Sequence, residues 1–412
     1  MKIVSVFFLV LFFSSSLFSV PPCYENIQGD WARATLQSLT LREKIGQLFM
    51  VATISSSEQS EEALASSLLK CPYKMDTEYI KYLIEEYKVG GLIFLYKSTP
   101  DKQIDAINYY QSLSKTPLLI GQDCEWGLSM RLYDTMQFPY NKALGALKDK
   151  KLIYDMGFEI GKQCKAVGVH INFSPVVDVN TNPNNPVIGK RSFGDTPNLV
   201  GECGLLMMQG LQDAGTLACA KHFPGHGDTN VDSHFLLPVI YHSFERLKNV
   251  ELVPFRHLID GGVAAVMSAH LAMPMMELEN ELPSSMSYAI VTQLLEHDLH
   301  FNGLKITDGL GMQAITNNYA HGEIELKAFL AGNDILLCPL DVPKAVELIE
   351  HAVKDDKNLL DDLEKRVLKI LKAKEWAQCQ SRKSLDKEVA ARAIFNPQAL
   401  ELQKKLYLDI EI

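Results

Sequence analysis

The sequence predicts an α/β fold: a (β/α)8 barrel of the TIM type with a C-terminal helical extension. Three observations carry that prediction. Short apolar, β-branched runs alternate with longer amphipathic stretches, about eight times across residues 47–340. Such alternation is the pattern of parallel strands joined by helices. Polar residues crowd the carboxyl ends of the runs, where a barrel of this kind builds its site. No G-x-G-x-x-G segment follows the first run, which argues against the dinucleotide-binding form of an open, doubly wound sheet, the runner-up architecture.

The elements follow in order. Strands are expected at "QLFMVAT" (47–53), "GLIFLY" (91–96), "LLIGQD" (118–123), "HINFSPVVDV" (170–179), "LACAKHF" (217–223), "AAVMSAHL" (264–271), "LKITD" (304–308) and "DILLCPL" (334–340). Each is bounded by Gly, Pro, Asp or Asn, and each is apolar enough to be buried on both faces. Helices are expected at 77–89, where Ile80, Leu83, Ile84 and Tyr87 share a face, at 151–168, and at 283–299 after a Ser-rich start suited to capping. Residues 341–376 are helical in pattern and highly charged, and 377–412 are polar and amphipathic. The expected organisation is therefore a leader over 1–20, a barrel over 21–340 and a helical extension of the same domain over 341–412.

The leader is set apart by composition. "MKIVSVFFLVLFFSSSLFSVPPC" has one Lys, an apolar run and then small residues, as a signal peptide does. An uncleaved anchor is the alternative, although the run is short against the roughly 20 residues of a bilayer span. Either reading places the mature protein outside the cytoplasm, periplasmic, secreted or anchored to the membrane. The formal net charge of −10 and the absence of a basic block exclude a nucleic-acid binder. The eight Cys show neither a C-x-x-C pair nor a disulfide framework.

Chemistry concentrates in "ACAKHFPGHGDTNVDSHFLLPV" (218–239), which holds three of the 11 His, two Asp and a Lys. Its Pro and Gly content makes the middle a loop. Asp232 and His234 are two residues apart, so in an extended segment they point the same way and the carboxylate reaches the imidazole. That contact fixes the ring's orientation and favours its charged form, which makes a general acid/base unit. A metal reading competes: His222, His226, Asp228, Asp232 and His234 are residue types that hold zinc. Other strand ends add Asp123, Glu125, Trp126 and Arg131, then Asp178 and Arg191, then Lys221 and His222, then His270, then Asp308.

These segments also carry a resemblance. "KHFPGHGDTNVDSH" resembles the signature of the β-N-acetylglucosaminidases of glycoside hydrolase family 3. In the same order along the chain, "LTLREKIGQLFM", "GQDCEWGLSMRL", "NPVIGKRSFGD" and "GLKITDGLGM" are similar to the other motifs of that family, over roughly residues 36–340. The resemblance implies a retaining exo-hydrolase for β-linked N-acetylglucosamine. In it Asp308 is the nucleophile, His234 the acid/base and Asp232 the residue that orients it. Asp123, Arg131, Arg191, Lys221 and His222 bind the sugar, Asp123 as acceptor and the other four as donors; Glu125 and Asp178 support these residues from behind. Neither cofactor, metal nor obligate protein partner is implied. The substrates would be β-N-acetylglucosaminide oligosaccharides or muropeptides. One position departs from the family pattern: Gly309 stands where many relatives have a second acidic residue. Alternatives are a β-glucosidase or chitooligosaccharide hydrolase of the same family, a metal-dependent barrel hydrolase, and a non-catalytic cell-wall binding protein, whose sign would be loss of Asp308, Asp232 or His234.

Overall fold

The structure is a computed structural model that describes residues 20–55, 74–231, 236–276 and 282–411. The expected leader lies almost wholly outside the described residues, as do Asp232 and His234. Eight parallel strands form one sheet: β1 (Phe49–Thr53), β2 (Gly91–Phe94), β3 (Leu119–Gln122), β4 (Ile171–Asn172), β5 (Leu217–Phe223), β6 (Ala265–Ser268), β7 (Leu304–Thr307) and β8 (Leu336–Leu337). Their order is β7-β6-β5-β4-β3-β2-β1-β8. A parallel bridge between Ile306 and Ile335, with Thr307 N–H donating to the Ile335 carbonyl at 3.1 Å, joins the two ends and closes the barrel. Each expected strand contains an observed one.

Every residue of these strands is buried, because side chains on one face fill the barrel and those on the other pack under helices. The interior is tight. At Gly121 a Cβ would lie 2.9 Å from both Met50 Sδ and the Phe173 ring, so only glycine fits between them. Strand β4 differs from expectation. Its ladder with β3 and β5 ends at Asn172, because Pro175 has no N–H to give. The chain still runs beside β5 through Cys219 N–H to Ser174 O and Val177 N–H to Lys221 O. That irregular passage delivers Asp178 to the top of the barrel.

The connecting helices begin where the sequence supplies caps. Thr40 and Glu43 form a reciprocal capping box, Asp76 caps Thr77–Tyr87, and Thr99 with Pro100 opens Pro100–Leu113. The 283–299 segment is not a plain α-helix. A 3-10 turn (Ser284–Met286) precedes a π-type helix (Ala289–Asp298), with Ser287 Oγ accepting from Ile290 N–H. After β8, Val342–Lys354 and Lys357–Trp376 pack against the barrel, and Lys387–Ile394 and Pro397–Glu411 lie along Lys151–Ala166. Among the described residues no helix is long and apolar enough to cross a membrane.

The helix Lys357–Trp376 carries an unusual group to the barrel floor. Lys374 is fully buried, with Nζ donating to Gln47 Oε1 at 2.6 Å. Burial pushes its pKa down to about 7, against a weaker opposing effect of Cys379. The unfolded chain therefore binds a proton that the folded chain does not between pH 7 and the ordinary lysine value. The cost of burying Lys374 is absent above that window and complete below it, so this group makes stability rise with pH across it. Lys374→Met should raise neutral-pH stability by on the order of a few kcal/mol. It should also flatten that rise when denaturant curves of the two proteins are compared between pH 7 and 10. An equal slope in both proteins would show that Lys374 is already charged when folded.

Candidate active site

The carboxyl ends of β3, β4 and β5 bring five of the expected binding residues into one network. Asp123 follows β3. Its Oδ1 accepts from Lys221 Nζ at 2.8 Å and its Oδ2 from Arg131 Nη2 at 2.7 Å. Arg131 reaches it from the turn after a short 3-10 helix, Leu128–Met130. Glu125 lies behind Asp123, with its side chain only 1% exposed. It pairs in a two-pronged fashion with Arg191, through Nη2 at 2.7 Å and Nε at 2.9 Å, and also takes Lys221 Nζ at 2.9 Å. Arg191 closes the 3-10 turn Gly189–Arg191, which Asn141 Nδ2 holds by donating to the Arg191 carbonyl.

The charges alternate around the network, so each makes the next affordable. Burial acts to raise the pKa of Asp123, but Lys221 and Arg131 overcome it and hold the carboxyl well below its ordinary value. Burial likewise opposes ionisation of Glu125, and Arg191 and Lys221 win, leaving it at about 2. Burial acts to lower the pKa of Lys221 and of Arg191, and their carboxylate partners raise both. The four are therefore ionised across the physiological range. Removing Glu125 would leave two buried cations without their shared partner. Glu125→Ala should thus cost about 3–5 kcal/mol of stability, read as a lower denaturant midpoint at unchanged slope. A loss under 1 kcal/mol would mean that water replaces the carboxylate there.

The β5 end continues the network. His222 Nδ1 lies 2.7 Å from Asp178 Oδ2, and its Nε2 lies 3.4 Å from Arg191 Nη2. Asp178 is fully buried and also accepts from the backbone N–H of His226 at 2.7 Å. Burial acts to raise its pKa, and the hydrogen bonds from the His222 ring and the His226 amide bring it below the ordinary carboxylate value. His226 is buried beside Thr229, with Nδ1 2.9 Å from the hydroxyl, and burial pushes its pKa down to about 4. Asn182 Nδ2 donates to the Thr229 carbonyl and to Asn230 Oδ1, while Val239 and Ile240 pair with Ala272. The described chain on both sides of residues 232–235 is thereby tied to the barrel rim.

Asp308 stands at the end of β7. Its backbone N–H donates to the Ser268 carbonyl at 2.8 Å, and its Oδ1 accepts from Gly309 N–H at 2.8 Å. His270, at the end of β6, faces the Gly309 carbonyl through Nε2 at 3.0 Å and Ser285 Oγ through Nδ1 at 2.7 Å. A carbonyl only accepts, so Nε2 carries the proton and His270 buttresses the turn that holds Asp308. Asp308 follows β7 and Asp123 follows β3 in one all-parallel barrel, so Asp308 lies at the same end of the barrel as the network.

The structure therefore gathers Asp123, Arg131, Arg191, Lys221 and His222, with Asp308 nearby. Among the described residues no three of His, Cys, Asp and Glu form a metal-holding group; Asp232 and His234 lie outside that statement. Glu125 and Asp178, supporting residues in the sequence reading, are the points on which several donors converge. A further feature was invisible in sequence. Trp126 packs edge-on to Tyr140 at 4.8 Å, and Lys190 Nζ sits 3.9 Å from the centre of the Tyr140 ring. Trp126 follows Glu125 and Lys190 precedes Arg191, so this rim flanks both ends of one ion pair.

Comparison with known proteins places the chain. The sequence profile of the glycosyl hydrolase family 3 N terminal domain matches residues 40–373. Beta-hexosaminidase A of Pseudoalteromonas piscicida is 33% identical over 357 residues, covering 79% of this chain and 59% of the relative. A protein of Cellulomonas fimi described as beta-N-acetylglucosaminidase/beta-glucosidase is 27% identical over 375 residues, covering 89% of this chain and 63% of the relative. The chain thus spans about three-fifths of the length of these relatives. The solved structure of a glycoside hydrolase family 3 beta-N-acetylglucosaminidase from a Paenibacillus species superposes with a TM-score of 0.78 at 33% identity, covering 90% of this chain and 69% of that one.

Proposed function

The chain belongs to glycosyl hydrolase family 3, and we propose on that footing that it is a retaining exo-β-N-acetylglucosaminidase. The observation that carries the reading is the largely buried cluster in which three carboxylates, Asp123, Glu125 and Asp178, balance three cations, Arg131, Lys221 and Arg191, with His222 joined to it and Asp308 across the barrel mouth. Ionised acceptors and donors fixed side by side suit the paired hydroxyls of one sugar ring. They are fixed before substrate arrives, so little is lost in ordering them.

The proposed chemistry runs in two steps. The Asp308 carboxylate attacks the anomeric carbon while the imidazolium of His234, oriented by Asp232, protonates the departing glycosidic oxygen. A covalent glycosyl-enzyme forms and the leaving alcohol departs. The now neutral His234 then takes a proton from water, whose oxygen attacks the same carbon from the opposite face and releases Asp308. Two inversions give net retention. A His–Asp pair here takes the place of the usual second carboxylic acid.

The test is hydrolysis of chromogenic β-N-acetylglucosaminide beside the β-glucoside. A large preference for the first is expected. Equal rates, or preference for the glucoside, would favour the β-glucosidase reading, the second activity in the description of the Cellulomonas relative. Activity that disappears on chelation and returns with zinc would instead favour the metal-dependent reading.

For the natural aglycone, we propose peptidoglycan fragments, met by an exported enzyme, in which the sugar is joined to a muramic acid. The support is the Trp126–Tyr140–Lys190 rim: aromatic surface for a sugar face, with an exposed ammonium for a carboxylate. Lys190→Ala should lower kcat/KM on an N-acetylglucosaminyl-muramic acid by about fivefold, the worth of one exposed charge pair, and leave chitobiose unchanged. Equal losses on both disaccharides would remove Lys190 from aglycone recognition.

A further inference from the structure

His222 invites a question that its residue type leaves open: does it give a hydrogen bond to the ligand or take one? Its two ring nitrogens face opposite kinds of partner. Nδ1 is 2.7 Å from Asp178 Oδ2. That carboxylate is fully buried, and it also faces the backbone N–H of His222, at 3.2 Å to Oδ1 and 3.3 Å to Oδ2, and of His226, at 2.7 Å to Oδ1. An ionised carboxylate only accepts, so Nδ1 carries a proton. Nε2 is 3.4 Å from Arg191 Nη2, and a guanidinium only donates. A proton on Nε2 would set two donors head to head. Arg191 cannot swing away to relieve this, because Glu125 grips it through Nη2 and Nε.

Asp178 accepts from the His226 amide, the His222 amide and Nδ1–H, whereas the Arg191 guanidinium faces Nε2. The neutral ring with hydrogen on Nδ1 satisfies every contact; the imidazolium does not. At 3.4 Å the Arg191 contact is also at the outer limit of a hydrogen bond, so a better donor can displace it from the Nε2 lone pair. The ring is 8% exposed, enough to meet a ligand from one side.

We propose that Asp178 and Arg191 together hold His222 as a neutral, Nδ1-protonated imidazole that accepts a hydrogen bond at Nε2 from one hydroxyl of the bound sugar, and that Asp178 is accordingly a positioning residue. This replaces the donor role that the resemblance implies for His222. It makes the site alternate in chemistry: Asp123 and His222 accept, Arg131, Arg191 and Lys221 donate. A site that must accept a hydroxyl proton discriminates strongly against a ligand lacking that hydroxyl, because its lone pair is then left buried and unmet. The sugar as ligand rests on the function proposed above; the tautomer does not.

Two measurements test it. The first is the nitrogen-15 spectrum of the full-length protein labelled at histidine, with His222 assigned by its loss in His222→Gln. At neutral pH, Nδ1 should be protonated and Nε2 bare. A proton on Nε2, alone or with Nδ1, would overturn the proposal. The second uses Asp178→Asn, whose amide would place an N–H where Nδ1–H now donates and so drive the proton to Nε2. Its kcat/KM should fall roughly a hundredfold, as when an orienting carboxylate is lost from a histidine. In a series of chromogenic N-acetylglucosaminides each lacking one ring hydroxyl, discrimination at one position should collapse towards unity in Asp178→Asn. A purely structural role would slow all members alike and keep the ratios, which would overturn the positioning role. If Asp178→Asn does not fold, the spectrum of the unaltered protein still decides the tautomer. Absence of any hydrolysis by the unaltered protein would refute the proposed function while leaving that spectrum intact.

Discussion

Asp308→Ala should lower turnover by on the order of 10⁴-fold or more on every leaving group, the scale seen when a catalytic nucleophile is removed. The fold should survive the change. The turn that carries Asp308 is held by backbone contacts that do not involve its side chain: Asp308 N–H to Ser268 O, Leu310 N–H to Leu337 O, and the His270 ring on the Gly309 carbonyl. The side chain itself accepts from Gly309 N–H at Oδ1. A hydrogen bond to a carboxylate contributes about 1.5–3 kcal/mol, so the melting temperature should move by only a few degrees. With the carboxylate gone, a small anion such as azide has room to attack the anomeric carbon directly. Added azide should then restore part of the rate on activated substrates and yield a glycosyl azide of inverted configuration. Ordinary activity in Asp308→Ala, or an azide product of retained configuration, would require a different nucleophile.

The neighbourhood of Asp308 also explains how Gly309 is accommodated. At this position a side chain is dispensable because the backbone does the work: its N–H binds the Asp308 carboxylate and its carbonyl takes His270. The departure from the expected pattern changes what surrounds Asp308 without removing the backbone contacts that hold it.

What the sequence discloses and what it hides follow from the kind of interaction involved. Parallel strands buried on both faces must be apolar along their length, so all eight stand out. β4 is over-read because "HINFSPVVDV" is apolar throughout, while the ladder depends on an N–H that Pro175 lacks. The 283–299 segment reads as an α-helix because its turns are too few to separate a period of 3.6 from the wider π winding. Lys374 is hidden among the other charges of "KNLLDDLEKRVLKILKAKEW", since periodicity marks a face but not how deeply it sinks. Asp178 and Glu125 are visible as acids. The convergence of amides, a guanidinium and an ammonium on them comes from three strands far apart in the chain, and no local pattern encodes it.

His234→Ala should separate the two halves of the proposed mechanism. With a poor leaving group the first step needs the proton, so the rate should fall by the ~10²–10⁴ typical of lost general acid catalysis. With a strongly activated leaving group, such as a dinitrophenolate, departure needs little protonation and the first step should remain fast. Hydrolysis of the glycosyl-enzyme still needs a base for water, so that step should become limiting and the intermediate should accumulate. A burst of phenolate close to one equivalent of enzyme is expected, followed by a slow steady rate that azide accelerates. Asp232→Ala should follow the same pattern more mildly, because in the proposed mechanism Asp232 orients the imidazole without itself moving the proton. The described chain on either side of these residues is anchored through Asn182 to Thr229 and Asn230 and through Ala272 to Val239 and Ile240. Neither anchor uses the His234 or Asp232 side chain, so the loss should be chemical and not conformational. Mass spectrometry of the acid-quenched His234→Ala protein should find one added N-acetylhexosamine on the peptide that contains Asp308. A label on another peptide would reassign the nucleophile, and steady turnover of activated substrates with neither burst nor adduct would remove His234 from the second step.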